Sequence, residues 1–181
     1  MKYIFHCIIS INLLLANVNA DETTNNLIVE GQKAINEQRF SEAKSLFKNA
    51  CDLKNYDGCY FLAALYDGVS GSEQNSKLAN QYYQKSCDGS DNDISGYACY
   101  SLGLAYDTGN GIKKNHSKAI ESFSKACKYG DATSCFNLGS IYYKGTGIKK
   151  DLPKAYYFLK KSCDLGNEDG CNNEKFILHN L

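Results

Sequence analysis

Eight cysteines fall into four pairs whose spacing suits only a few kinds of chemistry. Three pairs are spaced C-x7-C and one is C-x11-C, and the first members lie 36, 40 and 36 residues apart. Paired cysteines form disulfides in an oxidising compartment or bind zinc in a reducing one. Structural zinc sites prefer about two to four residues between paired ligands, so this spacing favours disulfides. The four pairs are Cys51/Cys59, Cys87/Cys99, Cys127/Cys135 and Cys163/Cys171.

A second candidate chemistry is acyl transfer by an activated serine. Serine penicillin-recognising enzymes use S-x-x-K, S-D-N and K-T-G, in that order. Serine and lysine are abundant enough to give S-x-x-K by chance, and no strand is predicted beside a nucleophile. Solvated positions are therefore favoured over a catalytic site, and no catalytic residue is assigned. The partial matches are S-x-x-K at Ser41, Ser45 and Ser122, Ser90-Asp91-Asn92, and the string Lys144-Gly145-Thr146-Gly147.

The remaining polar residues offer little further chemistry. His116 and His179 fall in a predicted loop and in the C-terminal tail, where solvation is favoured over metal or acid–base work. The glycine-rich turns are not phosphate loops, because no strand precedes them. The pairs Lys113-Lys114 and Lys149-Lys150 predict solvated turns, with a weak contact to an anion as the alternative. Neither a metal nor a cofactor is predicted.

Residues 1–20 have the pattern of a secretory signal peptide. Lys2 precedes a mostly apolar run, and Val18-Asn19-Ala20 is a small-residue cleavage site. An uncleaved anchor is the alternative, but a membrane-spanning helix needs about 20 apolar residues and polar side chains interrupt this run. We therefore expect cleavage near Ala20, a secreted or periplasmic protein and no stable membrane anchor. Cys7 would leave with the signal, so eight cysteines would remain.

Composition limits the class of partner. Removal of 20 residues from the 181 would leave 161, enough for one domain or one short array, with 19 basic and 20 acidic residues. Arg39 is the only arginine. Proteins that bind nucleic acid need a concentrated basic face, so this class of partner is excluded.

The middle of the chain repeats one helical pattern. The segments GCYFLAALYDGVSG, ACYSLGLAYDTGNG and SCFNLGSIYYKGTG begin at Gly58, Ala98 and Ser134. In the first segment, positions 59, 62, 63 and 66 are spaced i, i+3, i+4 and i+7, which predicts one buried helical stripe. Glycines near the end of the segments suit the turn that stops this helix.

A second helix follows each turn. Its copies are SKLANQYYQKSC, HSKAIESFSKAC and LPKAYYFLKKSC, and FSEAKSLFKNAC upstream matches them. One cysteine of each pair thus ends a second helix, and the other begins the first helix of the next unit. A disulfide across this corner would contribute about 2.5–3 kcal/mol in the chain-entropy model. The predicted units span about residues 25–55, 56–95, 96–131 and 132–167 of a solenoid over 21–171, followed by a C-terminal capping helix in 168–181.

The pattern resembles the Sel1-like repeat family, which is related to tetratricopeptide repeats. The resemblance covers about residues 25–171 and rests on Leu-Gly, Tyr, Gly-x-Gly and Lys-Ala at fixed spacing. One copy of this motif is Leu102-Gly103, Tyr106, Gly109, Gly111 and Lys118-Ala119, and the next is Leu138-Gly139, Tyr142, Gly145, Gly147 and Lys154-Ala155. The corner cysteines narrow it to the exported Helicobacter cysteine-rich proteins. It implies an all-α fold, a right-handed α-solenoid with disulfide-linked helix pairs. Some members are described as penicillin-binding proteins or β-lactamases, and others as host-interacting factors.

These observations predict an exported scaffold that binds a peptide or a partner protein, such as a host or envelope protein. Solenoids of this class expose a concave surface built from successive first helices. The alternative function is weak binding or hydrolysis of a β-lactam, with a cell-wall fragment as a related ligand. The residues predicted to contact a partner lie opposite the buried stripe, where simple solvent exposure is the alternative: Phe61, Tyr97, Ser101, Asp107, Thr133, Asn137 and Tyr143.

Overall fold

The computed structural model describes residues 21–68, 72, 74–90 and 92–178. The predicted signal peptide, Cys7, Asp91 and His179 lie outside these residues. The described residues are helices, turns and short connections without a strand. None of the described helices is long and apolar enough to cross a bilayer.

Nine helices follow one another in antiparallel pairs within the described part of the chain. The first, α1, covers residues 21–36. We call α3, α5, α7 and α9 the A-helices and α2, α4, α6 and α8 the B-helices. Their bounds are α2 Phe40–Asp52, α3 Tyr56–Tyr66, α4 Ser76–Gly89, α5 Asp93–Thr108, α6 His116–Lys128, α7 Ala132–Lys144, α8 Leu152–Asp164 and α9 Glu168–Leu178.

Short polar side chains define where seven of these helices begin. Each caps its helix by accepting a hydrogen bond of 2.5–3.2 Å from the backbone N–H three residues later. Gly109 and Gly145, with φ of 86° and 74°, end α5 and α7 in the left-handed conformation. The sequence predicted this glycine turn. The capping residues are Asn55, Asn75, Asn92, Asn115, Asp131, Asp151 and Asn167.

The buried stripes of α3, α5 and α7 pack against the B-helices that follow them. Leu62, Leu102 and Leu138 are buried at equivalent positions. A Cβ atom added at Gly103 or Gly139 would lie 2.6 Å from the side chain of Phe123 or Leu159, respectively. These glycines therefore let the two helices approach closely.

Disulfides join each B-helix to the next A-helix at all four corners. Cα–Cα distances are 4.6 Å for Cys51–Cys59, 4.8 Å for both Cys87–Cys99 and Cys127–Cys135, and 4.4 Å for Cys163–Cys171. The prediction of an all-α solenoid linked by disulfides between sequence neighbours is confirmed.

The last helix, α9, departs from the earlier A-helices. Glu174 and Lys175 stand where the other A-helices carry leucine and a small residue. Ile177 is buried with Ala155 and Leu159. Phe176 is 54% exposed, but its ring lies 6.3 Å from that of Tyr143 in the preceding unit, whereas Leu178 is 59% exposed. Since successive helical residues point in different directions, Ile177 enters the core while its neighbours lie at its edge or in solvent.

Candidate functional site

Two clefts lie side by side on the surface formed by the A-helices. The first cleft, between α5 and α7, has a volume of about 210 Å³. The second cleft, between α7 and α9, has a volume of about 230 Å³. Lys144 contributes to both clefts. Such small, partly apolar depressions suit single side chains of a ligand.

The two clefts are the same site repeated after one helical pair. Six residues of the first cleft lie 36 residues before six residues of the second, in the same order. The lining of the first cleft is therefore reproduced at equivalent positions one repeat later in the solenoid. The equivalent residues are Leu104/Ser140, Asp107/Tyr143, Phe123/Leu159, Asn137/Asn173, Ser140/Phe176 and Ile141/Ile177.

Each cleft has an apolar floor and a polar wall. Phe123 and Leu159, the floor residues, come from B-helices and are almost fully buried. In the wall of the first cleft, Asp107 lies 3.0 Å from Nδ1 of His116. The ammonium group of Lys150 lies 4.8 Å from the ring centre of Tyr143 in the second cleft. An occupant would meet an apolar surface below and hydrogen-bonding or charged groups at the sides.

Between α3 and α5, the equivalent place is filled by Tyr83. The Tyr83 ring is buried, and its hydroxyl group is in hydrogen-bond contact with the side chains of Ser101 and Asp67. Burial raises the pKa of the Tyr83 phenol above its ordinary value, because the phenolate would lose its hydration. Tyr83 thus occupies the position that Phe123 and Leu159 hold in the floors of the two clefts.

Some of the residues predicted to contact a partner line the two clefts, and others lie outside them. Asp107 and Asn137 line the first cleft, and Tyr143 lines the second. Thr133 is exposed outside both clefts. Tyr97 is 52% exposed, with its ring 6.4 Å from that of Tyr60.

Ser101 and Phe61, in contrast, take part in internal packing. Ser101 contacts Tyr83 as described. The Phe61 ring is half-buried and stacks on Phe47, with ring centres 5.2 Å apart. The structure therefore does not bring these two side chains into either cleft.

Sequence analysis missed several lining residues, although the repeat itself contained the signal. Leu104, Ser140 and Phe176 occupy one column of the alignment, and Asn137 and Asn173 occupy another. Extending every column through α9 would have found Asn173 and Phe176. The columns do not show how far each cleft stays open, because that depends on the B-helix residue below.

The serines of the S-x-x-K matches do not form a catalytic arrangement. Ser41 and Ser45 are exposed on α2. Ser122 is buried on α6, and Lys125 donates a hydrogen bond of 2.6 Å to Asp88. This hydrogen bond raises the pKa of Lys125, so the amine stays protonated at neutral pH and cannot act as a general base.

The other two motif matches serve helix ends. Asn92 caps α5, and its amide also donates to Asp57 across 3.0 Å. Gly145 ends α7, so Lys144-Gly145-Thr146-Gly147 is a helix end and not a strand.

His116, predicted in a loop, is the first residue of α6. No group of three or more His, Cys, Asp and Glu side chains in the described residues is arranged to hold a metal ion.

Two curated proteins match part of this chain. HcpC of Helicobacter pylori strain J99, whose name includes the word β-lactamase, is 40% identical over 65 residues, or 36% of this chain and 22% of HcpC. HcpA of the same strain, also named as a β-lactamase, is 36% identical over 70 residues, or 39% of this chain and 28% of HcpA. The matches thus span about a quarter of the length of these relatives.

Solved structures share the fold. The Helicobacter pylori cysteine-rich protein B is 33% identical with a TM-score of 0.54, and the match covers 79% of this chain and 93% of that one. A Sel1 repeat protein from Oxalobacter formigenes has a TM-score of 0.71 at 24% identity, over 81% of this chain and 59% of that one. The second likeness supports the fold alone.

The profile of the Sel1 repeat matches residues 57–91, 96–131 and 132–167. These ranges include most of α3 to α8 with their turns, and they amount to more than half of the 181 residues. The disulfide at each corner and the likeness to cysteine-rich protein B agree with this match. The chain therefore belongs to the Sel1 repeat family.

Proposed function

We propose that this disulfide-linked Sel1 scaffold binds an extended segment of a partner protein, such as a host or envelope protein, through its A-helix surface. The observation that carries the proposal is the repetition of one cleft after 36 residues, with the lining in the same order. Packed helices lie about 10 Å apart, and about three residues of extended chain span that distance. Two side chains about three residues apart would enter the two clefts.

The lining of the two clefts also indicates which side chains of a ligand they would prefer. The floors are a phenyl ring and a leucine, so the entering side chains should be apolar. Asp107, Asn137, Tyr143 and Asn173 stand beside the clefts and offer hydrogen bonds to the ligand backbone. Backbone contacts would supply affinity and the two floors would supply selectivity.

A random peptide library displayed on phage tests the proposal with the oxidised protein. We expect the selected peptides to share two apolar positions about three residues apart. Leu104→Arg should weaken their binding at least about tenfold, since it places a charge at the rim of the first cleft. Leu53→Arg, at an exposed position beyond α2, is the matched control. The absence of enriched peptides, or equal binding by both variants, would contradict the proposal.

We further propose that the chain is exported and that its signal peptide is removed near Ala20. Four disulfides and the similarity to Helicobacter cysteine-rich proteins support an oxidising destination. N-terminal sequencing of protein recovered from periplasm and medium tests this. Recovery of the protein from the cytoplasm with residues 1–20 still attached would contradict this proposal.

Binding or hydrolysis of a β-lactam, or binding of a related cell-wall fragment, is the second candidate function. It is favoured by the names of HcpA and HcpC. The protonated state of Lys125 and the exposure of Ser41 and Ser45 stand against serine chemistry of the usual kind. Nitrocefin turnover by the purified protein, abolished by Ser122→Ala, would make the enzyme the leading hypothesis. We expect no turnover and no effect of serine replacements at 41 and 45 on peptide binding.

A further inference from the structure

A groove of about 650 Å³ lies between α4 and the turn that follows α5. It shares no lining residue with the two clefts of the A-helix surface. Lys77, Gln81 and Lys85 stand on its α4 wall, and Ile112 and Lys113 form the wall contributed by the turn. We call it the lysine groove, after Lys77, Lys85 and Lys113.

The turn that forms the second wall is fixed against α4. The side-chain amide of Asn80, which is buried, donates a hydrogen bond of 2.7 Å to the carbonyl oxygen of Asn110. A Cβ atom added at Gly111 would lie 2.6 Å from Ser76, so the backbone of the turn lies directly on the start of α4. The lysine groove is therefore formed before any ligand enters it.

The charge of the lysine groove has one sign. Lys77, Lys85 and Lys113 are exposed, and no aspartate or glutamate contributes to the lining. Within the described residues, none of the three forms an ion pair, whereas Lys125 and Lys160 each pair with an aspartate. The whole chain has 20 basic and 20 acidic residues, so this excess of positive charge is local. Carboxylate groups would be attracted to it.

The groove also offers apolar and hydrogen-bonding surface. Ile112 is half-buried in the turn, and the aliphatic stems of the lysines extend along the α4 wall. Gln81 and Gln84 lie between Lys77 and Lys85 on α4, with amides that can pair with a peptide backbone. This combination suits a ligand that carries carboxylates, peptide groups and an apolar side chain.

The next repeat keeps the shape of the groove without the same charges. Its groove of about 680 Å³, beside α6, has Ile148 and Lys149 in place of Ile112 and Lys113. On α6, however, Ser117 stands where α4 has Lys77. Lys125, the equivalent of Lys85, is paired with Asp88 across 2.6 Å. The shape thus belongs to the repeat, whereas the unpaired lysines on the helix wall belong to the lysine groove.

We propose that the lysine groove binds an extended acidic segment of a partner protein, in which one apolar residue stands midway between two carboxylates. Lys77 and Lys85 are eight residues apart, or about 12 Å along the helix. Four residues of extended chain cover about 13 Å, and residues i, i+2 and i+4 point the same way. Acidic residues at i and i+4 would reach the two lysines, with the apolar residue at i+2 between them. The inference does not depend on the proposed function.

Amide NMR spectra of the oxidised protein, titrated with acetyl-Gly-Glu-Gly-Leu-Gly-Glu-Gly-amide, test the proposal. We expect shifts at Lys77, Lys85 and Ile112 and a Kd of about 1 mM, suited to a few exposed ionic contacts and one apolar side chain. Binding should weaken at least about threefold between about 20 and 200 mM salt, because salt screens exposed charges. The same peptide with glutamine for both glutamates should cause no shifts.

Two double variants with equal loss of charge separate the groove from the rest of the surface. Lys77→Gln with Lys85→Gln should weaken binding of the glutamate peptide at least about fivefold. Lys33→Gln with Lys175→Gln, at exposed positions of α1 and α9, should leave the Kd unchanged. Lys85→Glu should prefer a peptide in which one glutamate is lysine over the original peptide.

Equal binding of the glutamate and glutamine peptides, or equal Kd values for the two double variants, would overturn the inference. Shifts of the same amides by inorganic polyphosphate, without shifts by the glutamate peptide, would show that the groove takes a polyanion and no protein segment. Leu104→Arg should leave these shifts unchanged, so failure of peptide binding at the clefts remains distinguishable.

Discussion

At the residue scale, one B-helix position lies beneath the A-helix surface in every unit. That position holds Phe47, Tyr83, Phe123 and Leu159 in successive units. Phe47 is covered by the stacked ring of Phe61, and Tyr83 reaches Ser101 and Asp67 with its hydroxyl group. Phe123 and Leu159 carry no polar atom to reach the opposite wall, so the clefts above them stay open.

Replacement of Tyr83 by phenylalanine should change how stability depends on pH. The raised pKa keeps Tyr83 protonated in the folded protein, whereas in the unfolded chain its phenol ionises near the ordinary tyrosine pKa of 10.0. The free energy of unfolding should therefore fall as pH rises above about 10. Tyr83→Phe should remove part of this fall.

Urea denaturation followed by circular dichroism at about pH 8 and about pH 11 measures the difference. Tyr157→Phe, at a 59% exposed position on α8, is the control. If the free energy of unfolding falls equally between these two pH values in the wild type and in Tyr83→Phe, the Tyr83 phenol has the same pKa in the folded and unfolded protein.

At the element scale, α9 is an A-helix without a following B-helix in the described residues. The face that packs inward in other A-helices carries Glu174 and Lys175, which suits contact with water. Ile177 and the Cys163–Cys171 disulfide attach α9 to the preceding unit. We therefore expect α9 to act as a solvating cap, since a terminal repeat needs a polar outer face.

Ile177→Ala should destabilise the protein by about 2–4 kcal/mol, because it opens a cavity against Ala155 and Leu159. Leu178→Ala, at an exposed neighbour, should change stability by less than about 0.5 kcal/mol. Chemical denaturation measures both values. Deletion of residues 172–181 should lower Tm or cause aggregation. A deletion variant with unchanged Tm and soluble yield would show that α9 is not a cap.

At the scale of the whole molecule, stability comes from contacts between neighbouring helices. Among the residues that the structure describes, the buried apolar side chains form three clusters along the solenoid and no single centre. In such an array, stability is close to a sum of repeat and interface contributions. Each disulfide crosses one interface, so its effect should depend on its place in the array.

Joint replacement of Cys127 and Cys135 by alanine should lower the free energy of unfolding by about 2.5 kcal/mol. The same change at Cys163 and Cys171 should mainly increase hydrogen exchange in α9, because only the last helix loses its link. Denaturation and hydrogen-exchange measurements separate the two effects. Equal global losses from both pairs would contradict the nearest-neighbour picture.

Peptide mapping without reduction checks the pairing itself. We expect no free thiols after removal of the signal peptide and only links between sequence neighbours. A Cys59–Cys87 peptide would exclude the corner arrangement.

The sequence by itself determined the helical pairs, the glycine turns and the partners of all eight cysteines. These features are local: capping groups act within three residues, and each disulfide joins residues 8 or 12 positions apart. Periodicity also placed Asp107, Asn137 and Tyr143 on the A-helix surface, because the direction of a side chain follows from its position on its own helix.

Only the tertiary structure decided which of those positions border open space. Phe61 and Ser101 share a column with Asn137, yet their neighbours Phe47 and Tyr83 draw them into internal packing. Whether a cleft is filled depends on the combined sizes of side chains from several helices. Sequence periodicity shows the direction of each side chain but not how these sizes add up.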